Sequence, residues 1–149
     1  PFSYTPGTPT SFVIPAAGRP QEKAAMFAAI GEYLSGLKAE GGTALYDATL
    51  VAVRNMAAER DKNPENAYSV VVFTDGKRTQ GIEMDAFIQG YNELFAGQKA
   101  TKKIPVFLVL YAEGEAGALQ KIADLSGGKV FDARNQPLNV VFKDIRSYQ

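Results

Sequence analysis

Residues 70–76 read VVVFTDG, a run of β-branched and aromatic residues that ends abruptly in Thr74, Asp75 and Gly76. Valine and phenylalanine favour strands, and a continuous apolar run indicates a strand that is buried on both faces. A carboxylate adds nothing to such packing. Asp75 therefore marks the point at which a buried strand ends and a polar loop begins.

Apolar strands alternate with helical patterns on both sides of this stretch. We predict strands at 68–73, 104–111 and 129–133, and helices at 21–39, from Leu45 onward, and at 84–95, 116–125 and 138–148. A short strand at 11–14 is predicted to lie at a sheet edge because prolines flank it. Helices of ten or more residues between apolar strands predict an α/β fold. The expected architecture is Rossmann-like, with a mostly parallel sheet in three αβα layers.

The composition excludes several classes of function. The 149 residues fit one domain, and sixteen basic residues balance sixteen acidic ones, so nothing indicates a nucleic-acid groove or an anionic membrane surface. The chain has no Cys and no His. A bound metal would therefore be a hard, oxygen-liganded ion such as Mg²⁺, Mn²⁺ or Ca²⁺. No apolar run reaches the roughly 20 residues that membrane insertion needs.

The candidate site lies at the end of strand 68–73. Ligands of parallel sheets bind in the loops at the carboxyl ends of the strands, and Asp75 belongs to such a loop. A second stretch, GGTALYDA at 41–48, places the Thr43 hydroxyl after two glycines and just before a helix. A structural reading stands beside this one: Asp75 forms a turn or caps the next helix, and Thr43 is an N-cap.

Three blocks of sequence together resemble the von Willebrand factor A family. They are GLKAEGGTALYDATLVAV, YSVVVFTDGKRTQG and IPVFLVLYAEGEAGALQKIADLSGGKVFDA. The resemblance runs from about Phe2 to the C-terminus. It implies that Thr43 and Asp75 are ligands of the family's metal-ion-dependent adhesion site, directly or through water, and that they lie close together at one end of the sheet. It slightly favours an extracellular or periplasmic location, since bacterial proteins of this family are often exported, while the absence of Cys fits export and the cytosol equally.

One part of the family's pattern is absent from the chain. The family's first loop reads D-x-S-x-S at the end of a central first strand, and no such pattern occurs here. We therefore expect a single family-like domain over 1–149 that lacks the first strand, the first helix and most of the second strand. Binding of Mg²⁺ or Mn²⁺ then requires the missing loop. The strand at 68–73 is expected to be an edge, which an upstream segment or a second copy would complete.

Further residues are weaker candidates for the site or for a contact surface. Asp47 lies one turn beyond Thr43, where an acid also favours the helix dipole. Lys77 and Arg78 are placed to meet an acidic partner or to be solvated loop charges. We expect Tyr111 to pack in the core or to be half-buried. The remaining candidates are loop acids and tyrosines: Glu113, Glu115, Tyr4 and Tyr46.

No enzymatic motif stands out. The chain lacks a nucleophile–base pair, a G-x-S-x-G elbow and a phosphate loop. The sequence therefore favours a non-catalytic role. The resemblance implies an adhesion or assembly module that holds a protein partner, through an acidic residue of that partner, at a divalent cation. Two alternatives stay open. One is a metal-independent structural or regulatory domain of a larger protein, and the other is a flavodoxin-like domain that binds a small molecule.

Overall fold

The computed structural model describes Phe12, Ile14 and residues 19–38, 41–75, 77–97, 103–112, 116–135 and 137–148. The chain divides into two compact units, Pro1–Gly41 and Gly42–Gln149. No helix among the described residues is long and apolar enough to cross a membrane. That 1–149 form a single domain stays a prediction.

The first unit contains one described helix, α1 (Pro20–Ser35). It begins with proline, which the first helical position tolerates because its N–H has no intrahelical partner there. We expected it to run to residue 39, but it ends at Ser35, since Gly36 weakens the helix and occupies the C-cap. None of its residues is buried. Phe12 and Ile14, the described part of the predicted strand 11–14, do not lie in a strand.

The second unit alternates helices and strands, as the sequence predicts. Its elements in chain order are α2 (Leu45–Lys62), β1 (Val70–Thr74), α3 (Met84–Leu94), β2 (Val106–Leu110), α4 (Ala116–Ser126), β3 (Lys129–Asp132) and α5 (Leu138–Ser147). The strands form a parallel sheet in the order β1-β2-β3. Val70 pairs with Val106, and Phe107 pairs with Lys129. The α/β class and the parallel sheet are therefore confirmed.

Strand β2 is the centre of the core because both of its faces are buried. Val106, Leu108 and Leu110 belong to the larger apolar cluster, which also holds the buried side chains of α2, α3 and α4. The alternate residues Phe107 and Val109 belong to a smaller cluster with Phe131 and with Val141 and Ile145 of α5. Successive side chains of a strand point to opposite faces, so the two clusters lie on the two faces of the sheet.

Strand β1 is less buried than its sequence predicts. Val70 and Thr74 are buried, but Phe73 is 44% exposed. Among the described strands β1 pairs with β2 alone, so it is an edge of the sheet. The prediction that this strand is buried on both faces is therefore wrong at Phe73. Its ring lies beside α5, where the centroid of the half-exposed Phe142 ring is 5.6 Å away.

The turn between α4 and β3 is held against β2 by Ser126 and Gly128. The buried Ser126 Oγ accepts a hydrogen bond from the Val106 N–H (3.0 Å) and donates one to the Ala123 carbonyl (3.1 Å). Gly127 has φ +76°, and a Cβ at Gly128 would lie 1.9 Å from the Val106 carbonyl oxygen. Both positions require glycine, which explains why α4 ends at this point in the sequence.

Candidate functional site

Two loops are bonded to each other beside the carboxyl end of β1. The first is the glycine-threonine loop before α2, and the second follows Asp75 and runs to α3. The Thr43 N–H donates to Thr79 Oγ1 (2.6 Å), and the Thr43 carbonyl accepts from the N–H groups of Thr79 (3.0 Å) and Gln80 (3.3 Å). The Gln80 side-chain amide donates to the Gly42 carbonyl (3.0 Å). The structure thus joins the two loops that the sequence singles out.

Asp47 fixes the second loop to the first turn of α2. Its Oδ2 accepts a hydrogen bond from the Ile82 N–H at 2.9 Å. The neighbouring Gly81 has φ +84°, and a Cβ there would lie 1.9 Å from the same carboxylate oxygen. The loop therefore passes so close to Asp47 that it needs glycine at this position. These contacts give Asp47 a structural part in the loop.

Arg78 is held within the same loop, whereas Lys77 is exposed. The Arg78 guanidinium donates to the Gly81 carbonyl (3.0 Å) and forms an ion pair with Glu83. It also lies over the ring of Tyr46, 5.9 Å from the centroid. Lys77 is therefore better placed than Arg78 to meet an acidic partner.

Thr43 does not cap α2. The N-cap position belongs to Ala44, and no side chain makes a capping hydrogen bond there. Thr43 is exposed, and its backbone N–H and carbonyl make the bonds to Thr79 and Gln80. The capping alternative is therefore wrong, and the structure gives the hydroxyl of Thr43 no described partner.

Asp75 forms a turn and does not cap α3. Its Oδ1 accepts a hydrogen bond from the Lys77 N–H at 3.2 Å, two residues along the chain. An aspartate that bonds to its own backbone two residues on is a common turn device. The N-cap of α3 is Glu83. The turn reading of Asp75 is correct for one carboxylate oxygen, and the half-buried side chain keeps a second oxygen for another ligand.

The described residues do not make a complete cation site. Thr43 and Asp75 offer one hydroxyl and one carboxylate, and nowhere in the described ranges do three or more acidic side chains gather as metal ligands. Mg²⁺ prefers six oxygen ligands in an octahedron. That the Thr43 and Asp75 side chains lie close together stays a prediction. The other oxygens of a site would have to come from water, a partner or further residues.

The tyrosines among the candidates have different surroundings. Tyr46 is buried, and its ring centroid lies 5.8 Å from that of Phe87. Tyr111 follows β2 and is 55% exposed, so the expectation that it packs in the core or is half-buried is wrong. Tyr111 is not among the residues that pack in either apolar cluster. Tyr4, Glu113 and Glu115 lie outside the described residues.

Sequence reasoning missed a second aspartate at the carboxyl end of the sheet. Asp132 is the last residue of β3, and its carboxylate accepts hydrogen bonds from the Arg134 N–H (3.1 Å) and Nε (2.8 Å) and pairs with Nη2. These bonds, the side-chain bond above all, lower the pKa of Asp132 from 3.8 to about 2. An Asp at a predicted strand end with Arg two positions later was the available signal. Because Arg134 neutralises it, Asp132 is a poor cation ligand.

A cleft of about 570 Å³ lies at the other end of the sheet, before β1 and β2. It contains two cations, and both have structural partners. Arg60 pairs with Asp61 (2.7 Å), and Lys103 donates to the Leu125 carbonyl at the end of α4 (3.1 Å). The Arg60 and Lys103 side chains therefore already bind groups at the ends of α2 and α4. The loops at Thr43 and Asp75 are the better candidate site.

Comparison with known proteins assigns no family. No protein-family model matches the sequence, and no curated protein matches it significantly. The relationship to the von Willebrand factor A family therefore stays a prediction from the quoted motifs.

Proposed function

We propose that this protein is a non-catalytic binding module of the von Willebrand factor A type, used in adhesion or assembly. The partner would be a protein that donates a carboxylate to a divalent cation held between the two bonded loops. The observation that carries the proposal is the set of backbone and side-chain bonds from Thr43 and Gly42 to Thr79 and Gln80. They fix one loop relative to the other without using the Thr43 hydroxyl or the second oxygen of Asp75.

The proposed cation site needs a third loop. Thr43 and Asp75 supply one negative charge between them, which is too little for tight binding of a dication without further carboxylate or hydroxyl oxygens. A family-like loop of the D-x-S-x-S type, from elsewhere in a longer protein, would supply one Asp and two Ser hydroxyls. The 149-residue chain on its own is then a weak binder of Mg²⁺ and Mn²⁺.

Calorimetric titration of the 149-residue chain with MgCl₂ and MnCl₂ tests the incomplete site. We expect no affinity tighter than about millimolar, because Thr43 and Asp75 supply a single charge and water would have to provide most of the six oxygen ligands. Micromolar binding, about −8 kcal/mol, would contradict the argument and require ligands that are not identified here.

A longer version that carries a D-x-S-x-S loop tests the role of Asp75. We expect Asp75→Ala to abolish cation binding in that version, because no neighbouring carboxylate replaces the lost charge. Asp85→Ala, which removes an exposed acid in the first turn of α3, is the matched control and should bind as the parent does. Equal binding by parent and Asp75→Ala would remove Asp75 from the site.

The alternative is a metal-independent structural or regulatory domain of a larger protein. This alternative is favoured by the hydrogen bonds that Asp47, Arg78 and one oxygen of Asp75 make within the loops. Each of these bonds stabilises a loop and needs no cation to do so. A longer version that contains the third loop and still binds no cation would decide for it.

We also propose that residues 42–149 form part of a three-layer, Rossmann-like αβα domain. The support is the pair of apolar clusters, one joining the sheet to α2, α3 and α4 and the other joining it to α5. In the family's fold a central first strand lies beside the strand equivalent to β1. The edge position of β1 is compatible with that topology.

A further inference from the structure

The outer edge of β1 carries backbone groups in a regular pattern. The Val70 N–H donates to the Pro105 carbonyl (3.0 Å), and the Thr74 carbonyl accepts from the Tyr111 N–H (3.3 Å). In a parallel pair, alternate residues of a strand direct both backbone groups toward the same neighbour. Val71 and Phe73 therefore direct two donors and two acceptors away from β2, toward an edge that no other described strand adjoins.

The two edges of the sheet differ in their protection against pairing. At the β3 edge, the strand carries Lys129 and Asp132 at its ends, and Arg134 pairs with Asp132. The β1 strand, VVVFT, carries no charge. Charged side chains on an edge strand are a common means of preventing association with another strand. β1 lacks this protection, so its edge is suited to receive a strand.

Apolar side chains continue this surface on the α5 side. Val71 is half-buried, Phe73 is 44% exposed, and the Phe142 ring beside it is 43% exposed. Leu138, one turn before Phe142 on α5, is also exposed. A strand added to β1 would place its own side chains against Phe73 and Phe142.

We propose that the β1 edge pairs with β1 of a second copy of this chain, antiparallel about a two-fold axis at Val72. Val71 of one copy then faces Phe73 of the other, and each such pair exchanges both N–H···O=C bonds. The two donors and two acceptors of one edge match those of the other, as a two-fold interface requires. The same axis joins the two Phe73–Phe142 surfaces on one side of a six-stranded sheet.

The described part of the chain favours a second copy as the occupant. It contains three strands, and the free edge of β3 is the charged one, so the uncharged β1 edge of another copy is the best match within this sequence. An interface of one five-residue strand with its flanking rings is small. We therefore expect a weak dimer, with a dissociation constant on the order of 10–100 µM.

Sedimentation equilibrium of the 149-residue chain from about 1 µM to about 1 mM tests the proposal. The mass should rise from 16.1 kDa toward twice that value. Amide hydrogen exchange gives the register: protection of Val71 and Phe73 should grow with concentration, whereas Val72, which bonds to β2, should be protected throughout. A chain that stays at 16.1 kDa at the highest concentration overturns the proposal and leaves the edge to a strand of different sequence.

Two variants and a control distinguish edge pairing from nonspecific hydrophobic association. Phe73→Lys places a charge on the edge, and Phe73→Pro removes an N–H that faces away from β2, a position where an edge strand tolerates proline. Both should weaken dimerisation at least tenfold. Val140→Lys is the control because Val140 is similarly exposed but lies on the opposite side of α5 from Phe142. It should dimerise as the parent does.

The variants leave the proposal falsifiable even if one of them folds poorly. Circular dichroism and thermal unfolding of each variant establish that it is folded before its mass is compared. If either folded Phe73 variant associates as strongly as the parent, or if Val140→Lys is as weak as the Phe73 variants, the β1 interface is wrong. Cation titration at Asp75 is a separate measurement and gives a separate result. Because a strand that brings the third loop would occupy the same edge, self-pairing is proposed for the 149-residue chain without that strand.

Discussion

Gly81 shows how one residue sets the course of the loop at the candidate site. Its positive φ and its approach to Asp47 leave no room for a side chain, and the next residue donates its N–H to the same carboxylate. The loop between β1 and α3 therefore depends on a glycine and an aspartate that lie 34 positions apart in the sequence.

Gly81→Ala should destabilise the protein by about 1–3 kcal/mol, the usual cost of holding a non-glycine residue in a strained backbone conformation. The clash with Asp47 Oδ2 adds to this cost. Urea unfolding followed by circular dichroism measures the free energy of unfolding. Gly117→Ala, in α4 with no atom near the new Cβ, is the matched control and should be neutral or stabilising by up to about 1 kcal/mol. Equal stability of Gly81→Ala and the parent would contradict the close approach to Asp47.

Asp132 provides a pH-dependent test of the sheet's carboxyl end. Its pKa is lowered to about 2 in the folded chain from an ordinary value of 3.8, mainly by the side-chain hydrogen bond from Arg134. The unfolded state therefore binds the proton first, so this stabilisation is present above pH 4 and is lost as the pH falls toward 2.

Titration of the Asp132 carboxyl by NMR, from pH 6 downward, should give a midpoint near 2. Arg134→Ala should raise this midpoint because it removes the side-chain hydrogen bond. The midpoint should stay below 3.8, since the backbone N–H at position 134 still donates to Oδ1. A midpoint that does not move in the variant would show that Arg134 does not hold this carboxylate.

The connection from α4 to β3 illustrates how an element is positioned by a single polar atom. The Val106 N–H at the start of β2 is buried, and its acceptor is the Ser126 hydroxyl at the end of α4. The hydroxyl in turn donates to the carbonyl of Ala123. The end of the helix is thereby fixed to the central strand.

Ser126→Ala should cost about 1–3 kcal/mol because it leaves a buried backbone N–H without an acceptor. Thermal and urea unfolding measure the change. The control is Ser147→Ala at the exposed end of α5, where the hydroxyl bonds to the Asp144 carbonyl, and it should change the stability by no more than about 0.5 kcal/mol. A similar effect from both substitutions would show that the buried hydrogen bond contributes no more to the free energy of unfolding than the exposed one.

The alternation of helices and strands was predictable because the hydrophobic periodicity and the glycine positions of a short stretch of sequence are enough to predict each element. Strand β2 and helices α3 and α4 lie within two residues of their predicted ends. The edge position of β1 was expected from the family resemblance and not from the local sequence, because a run of VVVFT reads the same at an edge and in the centre. The exposure of Phe73 is what this local run conceals. The early end of α1 is a local effect of Gly36 that the longer apolar pattern concealed.

The candidate site was predictable in part. The motifs placed Asp75 in the loop after β1 and Thr43 in the loop before α2. The bonds that join these loops involve Thr79, Gln80 and Asp47, whose sequence signals are weak because Thr and Gln bond to backbone in many surroundings. The pairing of Asp132 with Arg134 was missed for the same reason.

In the second unit, three separate regions of the sheet are candidates for binding. The loops of Thr43 and Asp75 lie beside the carboxyl end of β1, and the cleft with Arg60 and Lys103 lies at the other end. Strand pairing would occupy the side of β1, which is a third region. A ligand of the carboxyl-end loops need not displace a ligand of the cleft, whereas a strand that brings a third loop beside β1 would compete with self-pairing at the β1 edge.

The strand order β1-β2-β3 follows the order of synthesis. Each described strand pairs with the next one along the chain after a single intervening helix, α3 or α4. Val70 pairs with Val106 and Phe107 with Lys129, so the paired residues lie 36 and 22 positions apart. Short loop closures cost less conformational entropy and speed folding relative to distant pairings. Folding can thus proceed by successive addition of helix–strand units onto β1 as the chain leaves the ribosome. Because α5 follows all three strands in the chain, the uncharged β1 edge can form before Phe142 is synthesised, and during that interval Phe73 has no aromatic neighbour from α5.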